Sequence, residues 1–146
     1  MTIEEADKTS YSELIALWEA SVRATHDFLA EEDLLMLKPL IFEQFLDAVE
    51  LRVARSTSGE IVGFSGVSDD KLEMLFIAPN ARGEGIGTAL VDHALQAQAV
   101  SKVDVNEQNE QALRFYQRLG FQVVGRSPVD GLGKPYPLLH MALLKD

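Results

Sequence analysis

The segment Leu75-Phe76-Ile77-Ala78-Pro79-Asn80-Ala81-Arg82-Gly83-Glu84-Gly85-Ile86-Gly87 runs from an apolar strand through three alternating glycines into a helix-compatible stretch. That order commits this part of the chain to a strand, a close turn and a helix. Glycine lets backbone N–H groups converge on a ligand, and the helix that begins there adds partial positive charge at its N-terminus. The spacing therefore predicts an anion-binding turn, with a ligand-free tight turn as the plainer reading of the same residues.

Two familiar phosphate motifs fail at named positions. A P-loop ends in Gly-Lys-Ser/Thr, but Gly87 is followed by Thr88 with no lysine between them. A dinucleotide fingerprint needs Gly or Ala at 88 or 90, where Thr88 and Leu90 stand. What remains is Arg82-x-x-Gly85-x-Gly87. Downstream, Val103-Asp104-Val105 leads into Asn109-x-x-Ala112-x-x-Phe115-Tyr116 and then Gly120-Phe121.

The two patterns, in this order and spacing, resemble the GNAT superfamily of acetyl-CoA-dependent N-acetyltransferases, over about residues 60 to 125. Ala24 to Leu29, the Asn106 to Gln111 run and Gly133 to Leu139 are similar to small bacterial members of that family. The resemblance implies a single-domain α/β (mixed α+β) fold over residues 1–146. Its twisted, mostly antiparallel central sheet of six to seven strands would be splayed at a bulged strand and flanked by about four helices. It also implies transfer of the acetyl group of acetyl-CoA directly to a primary amine through a ternary complex, the acceptor being a protein lysine or a small amine such as a polyamine. Monomer and homodimer both remain open.

Site roles follow from the resemblance residue by residue. Backbone amides from Arg82 through Gly83, Gly85, Ile86, Gly87 and Thr88 would hold the coenzyme A pyrophosphate, with the Arg82 guanidinium beside them. Met74 to Ile77 would bind pantetheine as an added strand through Leu75, Phe76 and Ile77, and Leu75 N–H would meet the thioester carbonyl oxygen. Tyr116 matches the family tyrosine that serves the departing thiolate, although its i, i+3, i+4 spacing with Ala112, Phe115 and Leu119 also suits a core position. Asn109 is either a cofactor contact, a helix N-cap, or both. Deprotonation of the acceptor ammonium falls to Glu73, to His26, or to water alone. Tyr136, between two prolines, is a pocket wall or part of a rigid loop.

Other classes find little footing. With no cysteine, thiolate metal sites and acyl-cysteine chemistry are out, and His26, His93 and His140 have no metal-ligand spacing, so no metal is expected. Gly63-Phe64-Ser65-Gly66-Val67 lacks the last glycine of a nucleophile elbow. The formal charge of −10 without a basic cluster argues against nucleic acid or anionic membrane as partner. It suits a cationic acceptor or simply aids solubility. No basic, apolar leader or membrane-length run is present, which points to the cytoplasm. An acyl-CoA-binding module without turnover is the rival class; Tyr116 weighs against it.

The pattern along the chain predicts a short strand at about Thr2 to Glu4 and a helix to about Ala24 opened by a Ser10-x-x-Glu13 capping box. A second helical stretch, from Leu34 to Phe45, should kink or restart at Pro39. A meander of three strands follows between 51 and 77, then helix from about Gly85 to Gln98, strand 102–105, helix 109–119, strand 121–125 and a last strand 138–144.

Overall fold

The computed structural model describes residues 1–144. Strand β1 is Thr2–Glu5, and helix α1 is Tyr11–Thr25. The expected capping box does not form: Ser10 is already helical and makes no side-chain cap. Asp7 takes the role one turn earlier, accepting from Thr9 N–H to cap a 3₁₀ turn at Lys8–Ser10, so the chain is wound before α1 begins. Leu14, Leu17, Trp18 and Val22 then fall on one buried face.

Helix α2, Glu31–Leu40, contains Pro39. The chain neither stops nor starts a new α-helix there. It widens into a π turn at Ile41–Phe45 and closes with a 3₁₀ turn at Leu46–Ala48. Proline removes one N–H and crowds the carbonyl four residues back, and a change of helical pitch is one way to absorb both.

Strands β2 (Glu50–Arg55), β3 (Ile61–Ser68) and β4 (Lys71–Ile77) form the meander. Helix α3 (Ile86–Ala97), β5 (Lys102–Asn106), α4 (Glu110–Arg118), β6 (Phe121–Ser127) and β7 (Leu138–Leu143) complete the chain. Seven strands make one sheet in the order β1-β2-β3-β4-β5-β7-β6. Every neighbouring pair is antiparallel except β4 with β5.

Side chains alternate across a strand, so each face of the sheet collects its own core. On one face α1 and the α2 region pack through Leu14, Trp18 and Leu46 onto Leu51, Val53 and Phe64. On the other, Val91 and Ala94 of α3 and Tyr116 of α4 pack onto Val103, Val105 and Met141. The α1 side of β5, β7 and β6 carries a row of polar side chains instead.

Two irregularities position the site. Pairing of β4 with β5 covers only Lys71 with Lys102 and Leu72 with Val103, after which the strands part. On the other edge of β4, Gly66 faces Met74 and Val67 faces Leu72, leaving Glu73 as the extra residue of a β-bulge. The bulge re-aims β4 at the point where it leaves β5.

Candidate active site

From Met74 onward β4 has a partner on one side only. Ala78 N–H donates to Val62 O at 2.8 Å, which fixes the phase of the β3–β4 ladder. Peptide groups alternate sides along a strand, so Phe76 shares the β3 side with Ala78, while Leu75 and Ile77 turn N–H and C=O toward the gap. These are free strand edges suited to an extended amide-bearing ligand.

The gap opens onto a cavity of about 580 Å³, within the roughly 300–1,000 Å³ range of small-molecule sites. Leu75, Phe76 and Ile77 line it from β4, and Gly83, Gly85, Ile86, Gly87 and Thr88 from the glycine turn and α3. Gly83 and Gly85 have φ of 82° and 81°, a left-handed conformation costly for any residue with a Cβ. Gly85 is the N-cap of α3 and offers no side-chain cap, so the first N–H groups of this 12-residue helix lack the usual intrahelical acceptors. A Cβ at either glycine would meet nothing within 4 Å. Backbone conformation, and not crowding within the chain, demands glycine at both. This fits a pyrophosphate: converging donors, a helix N-terminus and open room above them.

Arg82 also lines the cavity, but its Nη2 donates to Gln111 Oε1 of α4 at 2.7 Å, tying the glycine turn to the opposite wall. Arg114 and Arg118 line that wall too. Neither arginine belongs to the motifs that marked the site in the sequence. Their signal was there: 111, 114 and 118 share one face of a helix whose first residue follows the asparagine of the motif. Asn109 proves to be the N-cap of α4, its Oδ1 accepting from Ala112 N at 3.2 Å, while the residue still lines the cavity.

Tyr116 is packed and reachable at once. It is 7% exposed, with Phe115 and Phe121 edge-on to its ring at 5.0 and 5.7 Å, yet it lines the cavity. Its hydroxyl has no hydrogen-bond partner among the described residues, and burial raises the phenol far above its ordinary value. It stays protonated across the physiological range, a standing donor.

His26 and Glu73 fare differently. His26, in the connection after α1, lines the cavity; Glu73 does not. Glu73 is exposed on the bulge, its Oε1 4.0 Å from Lys71 Nζ. The hydroxyl of Thr25 donates its one proton to Ser21 O at 2.8 Å, so its 2.7 Å contact with His26 Nδ1 requires Nδ1–H as donor. That tautomer leaves Nε2 as a bare lone pair. Burial, outweighing the nearby Asp27 carboxylate, lowers the imidazole below its ordinary value and favours the neutral ring. Ser21 and Thr25 also line the cavity and were not singled out by the sequence.

Tyr136 stands one layer behind. Its hydroxyl donates to Asp33 Oδ2 at 2.5 Å and accepts from Ala30 N, and its ring lies 6.3 Å from Phe28, which is 5.2 Å from the His26 ring. It supports the His26 connection and does not line the cavity. Among the described residues no group of His, Asp or Glu is arranged to hold a metal ion, and no helix is long and apolar enough to cross a membrane.

Comparison with known proteins agrees with this geometry. Residues 47–123 match the family described as acetyltransferase (GNAT) domain. The chain is 49% identical over 130 residues to the peptidyl-lysine N-acetyltransferase YjaB of Escherichia coli (strain K12), covering 89% of this chain and 88% of that protein. The Salmonella typhimurium protein of the same name is 47% identical over 138 residues, 94% of this chain and 91% of that one. The solution structure of apo-form YjaB from Escherichia coli superposes with a TM-score of 0.88 at 44% identity, covering 99% of this chain and 98% of that one. A splayed strand pair, a left-handed glycine turn opening a helix and a tyrosine in the gap thus coincide with a match over most of the chain: it belongs to the GNAT family of N-acetyltransferases.

Proposed function

We propose that this protein transfers the acetyl group of acetyl-CoA to the ε-amine of a protein lysine. The observation that carries the reading is the continuous cavity running from the Gly83–Gly87 turn along the free edge of β4 to Tyr116 and His26. Acetyl-CoA supplies the thioester; amides at 82 to 88 and the free ends of Leu75 and Ile77 would hold it, with Arg114 and Arg118 as further partners for phosphate. The lysine acceptor rests on the relatives named peptidyl-lysine N-acetyltransferase. The chain's net charge of −10 suits a cationic acceptor surface.

His26 Nε2 takes a proton from the acceptor ammonium, directly or through one water. The freed nitrogen attacks the thioester carbon, forming C–N while C–S breaks. Leu75 N–H faces the developing negative oxygen. The Tyr116 hydroxyl donates to the departing sulfur, and the second proton lost by the acceptor nitrogen as the amide forms restores the phenol. Glu73 stood beside His26 as a candidate base; its bulge position outside the cavity, with Lys71 at its carboxylate, favours His26. The test is an N-terminally blocked lysine peptide incubated with acetyl-CoA: ε-acetyl-lysine and free thiol should appear in equal amounts. Thiol release with small polyamines but none with the peptide would replace the acceptor and keep the reaction.

A further inference from the structure

Four polar side chains outside the cavity form a row across four adjacent strands: Lys71 of β4, Asp104 of β5, His140 of β7 and Ser127 of β6. Val103, Val105 and Met141 point into the α3–α4 core, so Asp104 and His140 project from the opposite face of the sheet. Asp104 and His140 are cross-strand partners, and His140 in turn faces Gly125. With no side chain at Gly125, a Cβ there would sit only 3.5 Å from His140 Cδ2, and the ring lies across β6 toward Ser127.

His140 Nδ1 is 2.7 Å from Asp104 Oδ1, and Nε2 is 2.6 Å from Ser127 Oγ. The other oxygen of Asp104 is paired with Lys71. Burial opposes ionisation of Asp104, but hydrogen bonds from Lys71 and His140 outweigh it and hold the carboxyl below its usual range. An ionised carboxylate only accepts, so Nδ1 carries the proton; in the neutral ring Nε2 is then a lone pair and Ser127 O–H donates to it. A hydroxyl bonded to an imidazole that a carboxylate orients is the arrangement that activates serine, and it is recognised by geometry, not by sequence position. The site is open: the side chains of His140 and Asp104 are 37% and 22% exposed.

We propose that Ser127 is a nucleophile primed by His140 and Asp104, and that it takes the acyl group of activated carboxylic esters. Ser127 Oγ bonds to the ester carbonyl carbon while its proton passes to His140 Nε2. The carbon–oxygen bond to the leaving alcohol breaks, and His140 returns the proton to that oxygen. Water, deprotonated by His140, then releases the carboxylic acid and restores Ser127. This chemistry is separate from acetyl transfer, since none of the four side chains lines the coenzyme cavity.

The test exposes the folded protein to p-nitrophenyl acetate and, separately, to a fluorophosphonate probe with peptide mapping. The expected result is p-nitrophenol release and a label on Ser127 that depends on the folded state. Ser127→Ala removes both; His140→Gln, which keeps the serine, slows labelling by roughly 10²–10⁴-fold. A label no stronger at Ser127 than at other serines, or one indifferent to His140→Gln, overturns the proposal.

Discussion

One ring at position 116 answers to two demands. Its edges fill the space between Phe115 and Phe121, while its hydroxyl at the cavity has no partner among the described residues. The sequence offered packing and chemistry as alternatives because helical spacing reports only which face is buried. Tyr116→Phe should therefore leave the melting temperature and acetyl-CoA affinity nearly unchanged while kcat falls by roughly 10²–10⁴. Calorimetry and steady-state kinetics separate the two roles, and a wild-type kcat would return Tyr116 to the core alone. For His26 the sign follows from burial: the folded imidazole binds its proton less readily than the free side chain, whose pKa is ~6.5. The rate should hold as pH drops past that value and fall only through the lower folded value. The stability that the buried neutral ring contributes is likewise present above ~6.5 and lost as pH falls through the lower folded value. His26→Gln should remove this acid limb and make the rate climb toward the acceptor's own pKa, ~10.4 for lysine. If Glu73→Gln does this instead, the base is Glu73. Nothing in the sequence reveals the tautomer of His26, which depends on where Thr25 sends its single proton.

At the level of elements, the glycine turn and the strand, helix and strand order were legible because each is written in consecutive residues. The bulge was not. It is a register slip between β3 and β4, and it decides that Glu73 sits outside the cavity and which edge of β4 is free. The Asp104, His140 and Ser127 row was hidden for a similar reason: β7 inserts between β5 and β6, bringing distant positions side by side. The alternation along β4 gives a direct prediction. Leu75 N–H faces the gap and makes no ladder bond, so Leu75→Pro should spare the β3–β4 pairing yet lower kcat by roughly 10²–10³ more than Leu75→Ala does. Phe76→Pro, whose lost N–H lies on the β3 side, should unfold the meander. Circular dichroism with kinetics distinguishes the two, and equal behaviour of the pair would mean the gap-facing edge has been assigned to the wrong residues.

For the whole molecule, two cores share one sheet, and the cavity lies where that sheet parts. Phe64 is fully buried in the α1 side; Phe64→Ala should cost about 3–5 kcal/mol in denaturant unfolding, enough to threaten a domain of this size. The −10 charge acts at longer range. With a lysine-rich peptide acceptor kcat/KM should fall as salt rises past physiological strength, where the screening length is about 8 Å. With a neutral acceptor it should stay flat. The proposed reaction requires acetyl-CoA to lie in the gap between β4 and β5. Amide-resolved NMR titration of the folded protein with acetyl-CoA reads this placement residue by residue: the largest shifts should fall on Leu75, Ile77 and the amides from Arg82 to Thr88, with Asn109 and Tyr116 following. Saturable binding that leaves those amides in place and moves residues elsewhere would contradict it.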